Sequence, residues 1–171
     1  DSLDPEDLWA YLADYESKTG GRVLAIPHNS NLSGGQMFAV ETLAGAPLDR
    51  SYAERRMRFE PMVEVTQYKG DSETHPILSP DDEFADYETW DLANLGGRKN
   101  RPEMLPYSYV RSALGLGLAL AARMGVNPVK FGMIGSTVSH TRLASCQSHN
   151  SRGQFSENDS RTQRLMRPFF P

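Results

Sequence analysis

Residues 108–135, SYVRSALGLGLALAARMGVNPVKFGMIG, contain a helix signal followed directly by a strand signal. From about Ser108 to Met124 the apolar residues recur at helical spacing, which predicts an amphipathic helix. Its predicted core face comprises Val110, Ala113, Leu114, Leu118, Ala121 and Met124. Gly125 is a typical helix stop, Asn127 and Pro128 favour a turn, and residues 130–135 predict a short strand.

The same order of helix and strand occurs twice more, upstream of this stretch. Asp4 and Pro5 are typical of a capped helix start, Gly20 and Gly21 of its end, and residues 23–26 form an apolar run typical of a buried strand. Residues 52–59 predict a short charged helix and residues 62–66 a second strand. Three helix-strand units with polar loops after the strands predict a parallel α/β architecture.

The length of the chain limits how complete such a fold can be. A closed eight-stranded β/α barrel takes about 250 residues, and this chain has 171. We therefore expect an α/β fold in which residues 1–140 form a partial, TIM-like β/α barrel with parallel strands and long strand-to-helix loops. Residues 79–82 predict a further helix start leading into residues 83–95. Residues 141–171 follow neither period and predict an irregular carboxyl-terminal arm.

Composition excludes some classes of function. The net charge is −4 and the pI is about 5.6, so we expect no nucleic-acid partner, because such binding needs a clustered basic face. No apolar run approaches the roughly 20 residues of a membrane span, and residues 1–9, DSLDPEDLW, do not resemble a signal peptide. We expect a soluble chain without membrane association, whether cytoplasmic or exported with its signal removed.

Candidate chemical groups follow the predicted strands, where the active sites of parallel α/β folds lie. His28 and His140 each follow a strand, and a neutral imidazole is a common ligand for zinc, iron or manganese. The loop of residues 69–75, KGDSETH, adds Lys69, which can hold an anion, and three groups that can coordinate metal or transfer protons: Asp71, Glu73 and His75. The alternative for each is an ordinary polar loop residue that only hydrogen-bonds its surroundings.

Other catalytic motifs are missing from the sequence. No G-x-S-x-G elbow surrounds a serine and no G-x-x-x-x-G-K-[ST] phosphate loop occurs. Cys146 is the single cysteine and has no histidine motif suited to activating it. The acidic residues between 81 and 91 lack the order of an EF-hand. Metal-dependent chemistry is therefore the enzymatic class that the residues favour.

Four segments together resemble a known family. GGRVLAIPHNSNLS (20–33), EVTQYKGDSETHP (64–76), LSPDDEFADYETWD (78–91) and NPVKFGMIGSTVSHT (127–141) are similar to the DUF3604 family, uncharacterised relatives of the PHP-type (polymerase and histidinol phosphatase) metal-dependent hydrolases. The resemblance implies a distorted β/α barrel with a cleft that binds several divalent metal ions at the carboxyl ends of the strands. Such a cleft is suited to hydrolysis of phosphoesters or related bonds in a small-molecule substrate.

The resemblance also implies which residues bind metal. His28 matches the histidine after the family's Ile-Pro strand end, and His140 matches the last residue of a Ser-Thr-Asp-Ser-His pattern. Val138 occupies the position of that aspartate, so one expected ligand is lost. The family's upstream His-x-His, Asp-His and Glu motifs have no counterpart, and we expect the carboxyl-terminal portion of a barrel.

Two readings of function remain open at this point. In the first, the chain is part of a metal-dependent hydrolase, with Lys69 or Arg142 stabilising developing negative charge. In the second, it is a non-catalytic binding or assembly module that retains the scaffold, which Val138 and the missing ligands favour. An incomplete barrel exposes strand edges, so we expect a homo-oligomer or a missing amino-terminal segment to cover them.

Overall fold

A computed structural model describes residues 2–67 and 69–135. Within these residues the chain forms helices α1 (Pro5–Thr19), α2 (Arg50–Phe59) and α3 (Val110–Met124), and strands β1 (Met62–Gln67), β2 (Gly70–Asp71) and β3 (Gly132–Gly135). Two 3-10 helices cover Ser30–Leu32 and Pro102–Tyr107. His140, Val138, Arg142 and Cys146 lie outside the described residues, as does the predicted boundary between barrel and arm.

The ends of α1 follow from its local sequence. The Asp4 carboxylate accepts a hydrogen bond from the Glu6 N–H at 3.0 Å, and Pro5 occupies the first helical position, where no N–H is needed. Gly20 ends the helix in the left-handed conformation, with φ of 70°, and its N–H donates to the Glu16 carbonyl at 2.9 Å. The predicted bounds of this helix are confirmed.

Helix α3 is also confirmed, but its buried face differs from the predicted one. Val110, Ala113, Gly117 and Leu120 are buried, whereas Leu118 is 68% exposed. The apolar pattern predicted the wrong buried face because α3 packs most closely at Gly117, which has no side chain. A Cβ at Gly117 would collide with Val129 and Asn127, so the missing side chain is what lets α3 approach this turn.

The strands form one mixed sheet in the order β2, β1, β3. β1 is parallel to β3, with Met62 opposite Gly132 and Glu64 opposite Ile134. β1 is antiparallel to β2, with Gln67 opposite Gly70. The fold is therefore mixed α/β. The described residues show a small sheet and no closed barrel, so the partial barrel stays a prediction.

The predicted strand at residues 23–26 is wrong. The segment runs beside the start of β1, where the Ala25 N–H donates to the Phe59 carbonyl at 2.7 Å and the Glu64 N–H to the Pro27 carbonyl at 3.0 Å. Pro27 has no N–H with which to continue a ladder. Leu24 and Ile26 are 49% and 41% exposed, so the segment is not buried on both faces.

The predicted helix after residues 79–82 is also wrong. The chain there makes separate turns, in which the Asp82 N–H donates to the Ser79 carbonyl and the Tyr87 N–H donates to the Phe84 carbonyl. The Asp82 side chain accepts from the Phe84 N–H at 3.0 Å. Such side-chain bonds offer the backbone an alternative to helix, and the apolar residues of the segment remain largely exposed.

Two apolar clusters hold these elements together. The first joins the three helices through Trp9, Leu48, Tyr52, Phe59 and Leu120. The second joins β1 to α3 through Phe38, Val63, Val110, Ala113 and Val129. Together they fix β1 at the centre of the described residues, so that its carboxyl end positions the polar groups discussed below. None of the helices within residues 2–67 and 69–135 has both the length and the apolar character needed to cross a membrane.

Candidate metal and catalytic site

Polar side chains from two segments meet beside β1. Because Pro27 accepts the hydrogen bond from the Glu64 N–H, the next residue, His28, lies alongside the Glu64 side chain. Nδ1 of His28 is 4.0 Å from Oε1 of Glu64. The imidazole is 55% exposed and the carboxylate only 16%, so the pair joins a solvent-accessible base to a largely buried acid.

Glu64 is the most unusual group of the site. Its Oε1 is buried and has no hydrogen-bond partner among the described residues. Burial raises the pKa of the Glu64 carboxyl, while the Asn29 backbone N–H and the Lys69 ammonium act in the opposite direction. A buried carboxylate oxygen without a donor is costly in a structure that serves packing alone.

Lys69 lies in the turn between β1 and β2 and is 2% exposed. Burial lowers the pKa of Lys69, and the Glu64 carboxylate partly opposes that change. Its backbone is held on both sides, since its N–H donates to Gln67 Oε1 at 3.0 Å and its carbonyl accepts from Asn31 Nδ2 at 3.1 Å. The turn therefore places a cationic side chain under the influence of the buried carboxylate.

Two buried amides connect this turn to His28. Gln67 Nε2 donates to Asn29 Oδ1, and Asn29 Nδ2 lies 2.8 Å from His28 Nδ1. Asn29 has a left-handed backbone with φ of 54°, which asparagine tolerates better than most residues. The bend at Asn29 turns its side chain towards both Gln67 and the imidazole.

Asp71 and Glu73, which the sequence predicted to be catalytic, make structural contacts. Asp71 Oδ2 accepts from the backbone N–H groups of Glu73 and Thr74 at 2.9 and 3.2 Å. Burial raises the pKa of Asp71, and those N–H groups oppose the rise. Glu73 is exposed and pairs with Arg111 at 2.5 Å, and Arg111 also binds Asp82 at 2.6 Å. These bonds shape the loop.

His75 is likewise held by the loop. Its Nε2 lies 2.8 Å from Asp91 Oδ2, and its Nδ1 accepts from the Ile77 N–H at 3.1 Å. The ring packs on Tyr109, with centroids 5.5 Å apart. Burial raises the pKa of the Tyr109 hydroxyl, and the Asp91 and Asp71 carboxylates add to that rise. Both ring nitrogens of His75 are therefore occupied by contacts within the chain.

The structure thus divides the predicted site residues. His28 and Lys69 are linked through Glu64, whereas Asp71, Glu73 and His75 have contacts of their own. Sequence reasoning missed Glu64 and Asp91. The signal for Glu64 was a carboxylate between Val63 and Val65 in a predicted strand, because burying a charge without a partner is costly.

The separation of His28 and Glu64 can be compared with that of two ligands on one divalent cation. At metal-to-ligand distances of about 2.0 to 2.2 Å, tetrahedral ligands lie about 3.4 Å apart and opposite ligands up to about 4.2 Å apart. His28 Nδ1 and Glu64 Oε1, which are 4.0 Å apart, would therefore have to move closer together to share a tetrahedral ion. Within residues 2–67 and 69–135, no group of three or more His, Cys, Asp or Glu side chains is placed to hold a metal. Further ligands would have to come from outside these described residues.

Comparisons with known proteins give the family and nothing finer. No curated protein matches the chain, and no solved structure matches it. A family model described as a protein of unknown function matches residues 1–168, which is nearly the whole chain. The chain therefore belongs to the DUF3604 family.

Proposed function

We propose that this chain carries part of the active site of a PHP-like, metal-dependent hydrolase. The observation that supports the proposal is the buried Glu64 Oε1, without a hydrogen-bond partner among the described residues, 4.0 Å from an exposed imidazole. A divalent cation such as zinc, manganese or iron would satisfy that oxygen. His28 and Glu64 would hold it.

The metal would supply a Lewis acid that makes water more acidic and polarises the bond under attack. Residues of the chain would position this metal and compensate the charge around it. The burial of Lys69 favours a role in compensating the charge of Glu64, more than direct contact with a substrate. The substrate would be a small anion, such as a phosphoester, bound near this metal. A partial barrel supplemented by another copy or an upstream segment would complete the cleft.

A second candidate function is a non-catalytic binding or assembly module. The observation that favours it is the 69–75 loop, where Asp71, Glu73 and His75 are engaged in contacts within the chain. Val138, at a position where the resemblance implies an aspartate, favours it as well. In this reading the fold persists and the metal centre has decayed.

Metal content and activity of the whole chain separate these functions. The protein would be purified, its metal measured, and hydrolysis of an aryl phosphate assayed with added Zn²⁺ or Mn²⁺. The hydrolase proposal predicts bound metal and turnover that His28→Ala and Glu64→Gln abolish, with His75→Ala as the control. Metal-free, inactive protein in which Val138→Asp restores metal binding would instead support a decayed site.

A further inference from the structure

We propose that Gln67 and Asn29 are positioning residues that fix the tautomer of His28, so that Nδ1 carries the lone pair on the side of Glu64. The use of this arrangement rests on the proposed metal site. The arrangement itself follows from a chain of hydrogen bonds whose direction is set at one end by the backbone.

The direction begins at Lys69. Its backbone N–H can only donate, so the Gln67 atom 3.0 Å away must be the carbonyl oxygen Oε1. The amide nitrogen of Gln67 therefore points the other way and donates to Asn29, which must present Oδ1. The hydrogen-bond network therefore determines which end of each side-chain amide is the oxygen and which is the nitrogen.

The second half of the chain reaches the imidazole. With Oδ1 of Asn29 facing Gln67, its Nδ2 faces His28 Nδ1 at 2.8 Å. An amide nitrogen donates and does not accept, so Nδ1 must be the unprotonated nitrogen. In the neutral ring the proton then resides on Nε2.

We call the hydrogen-bond chain from the Lys69 N–H through Gln67 and Asn29 to His28 the relay. Burial shields its two amides from water. Gln67 and Asn29 are 5% and 3% exposed, so water has little access to compete for their amides. Asn29 also acts on the partner carboxylate, because its backbone N–H stabilises ionised Glu64. One residue thus contacts both groups of the pair and keeps Nδ1 of His28 unprotonated. A cation bound there would take over the Nδ1 lone pair from the Asn29 amide.

Reversing the direction of these hydrogen bonds should move the proton of neutral His28 from Nε2 to Nδ1. In Gln67→Glu the new carboxylate can only accept, so the Asn29 amide must turn to donate to it and present Oδ1 to His28. Nδ1 would then carry the proton. Asn29→Asp should give the same result by a shorter route, since a carboxylate next to Nδ1 also accepts. Gln36→Glu, at an exposed position, is the matched control for the change in charge.

The test is NMR of the full chain labelled with 15N-histidine, without added metal and at a pH high enough for neutral imidazole. His28 signals are assigned by their loss in His28→Gln. We expect the Nε2–H form in the wild type and in Gln36→Glu, and exchange of the Nδ1 and Nε2 shifts in Gln67→Glu. Asn29→Asp replaces Gln67→Glu if the latter does not fold.

Two results would overturn the inference: an Nδ1–H ring in the wild type, or the same tautomer in the wild type and in a folded relay variant. Titration of the same samples with Zn²⁺ alone tests the proposed function separately. A tautomer exchange without Zn²⁺ binding would contradict the metal site and leave the positioning role intact. Zn²⁺ binding at His28 without the tautomer exchange would support the metal site and contradict the positioning role of Gln67 and Asn29.

Discussion

His75 and Asp91 form a hydrogen-bonded pair, with Nε2 2.8 Å from Oδ2, that joins the loop after β2 to the segment before α3. Since the other ring nitrogen accepts from Ile77, both nitrogens of His75 are committed. The pair thus ties two loops together, so His75 contributes to the scaffold, and its catalytic role stays a prediction.

His75→Ala should therefore lower stability and spare metal binding. The change leaves the Ile77 N–H and the Asp91 carboxylate without their partner, which costs about 1 to 3 kcal/mol in the free energy of unfolding. Urea denaturation measures that loss, and metal analysis of the same sample should match the wild type. A stable variant that has lost metal would show that His75 is a ligand after all.

Two glycines of α3 should respond in opposite directions to the same substitution. A Cβ at Gly117 collides with Val129 and Asn127, whereas a Cβ at Gly115 meets nothing within 4 Å. Gly117→Ala should destabilise by about 1 to 3 kcal/mol through overpacking. Gly115→Ala should stabilise by about 0.5 to 1 kcal/mol, because glycine weakens a helix interior. Thermal unfolding of both variants checks this, and equal shifts would refute the close approach of α3 to residues 127–129.

The buried ion pair between Arg56 and Glu60 should contribute far more to stability than the exposed pair between Arg50 and Glu54. Glu60 is buried, lies 3.0 Å from Arg56 Nε and accepts from Trp9 Nε1 at 2.9 Å. Glu60→Ala leaves a buried guanidinium without its carboxylate, which costs about 3 to 5 kcal/mol. Glu54→Ala, which breaks the exposed pair with Arg50, should cost about 0.3 to 0.5 kcal/mol. Comparable losses in urea denaturation would contradict the burial of this cluster.

The buried Lys69 predicts a dependence of stability on alkaline pH. Burial lowers the pKa of Lys69 in the folded state, so between that pKa and the ordinary lysine value the folded protein binds fewer protons than the unfolded one. Stability then rises with pH across this window. Lys69→Met lacks that rise, so its stability relative to the wild type should be highest below the folded pKa and should fall as the pH increases.

Urea denaturation from neutral to alkaline pH measures this difference. Lys99→Met, at an exposed position, serves as the control and should show no comparable trend. A constant difference between Lys69→Met and the wild type over the whole range would mean that the Lys69 ammonium is not desolvated in the fold.

Local signals predicted the helices well. Asp4 caps the start of α1, Gly20 ends it, and Gly125 ends α3. These ends were predictable because helix caps and stops depend on only a few neighbouring residues. The strand at residues 23–26 failed because its pairing depends on a distant segment and on a proline that interrupts the ladder. The helix after residues 79–82 failed because capping side chains closed separate turns instead.

The candidate site was predicted in part. His28 was predicted as a ligand from its place after an apolar run, and that role stays a prediction. Its neighbour Glu64 is 36 positions later and is brought near by the contact between Pro27 and Glu64. The 69–75 loop contains chemically suitable residue types, and sequence could not show that backbone N–H groups, Arg111 and Asp91 engage them. Composition indicates which groups are present, whereas tertiary contacts decide which are available.

Isothermal titration of the metal-stripped full chain with Zn²⁺ tests the central claim most directly. The wild type should bind Zn²⁺, and His28→Ala and Glu64→Gln should each weaken binding by more than about tenfold, while Glu73→Gln leaves it unchanged. Binding that is unaffected by both His28→Ala and Glu64→Gln, or a wild type that takes up no Zn²⁺, would contradict the account.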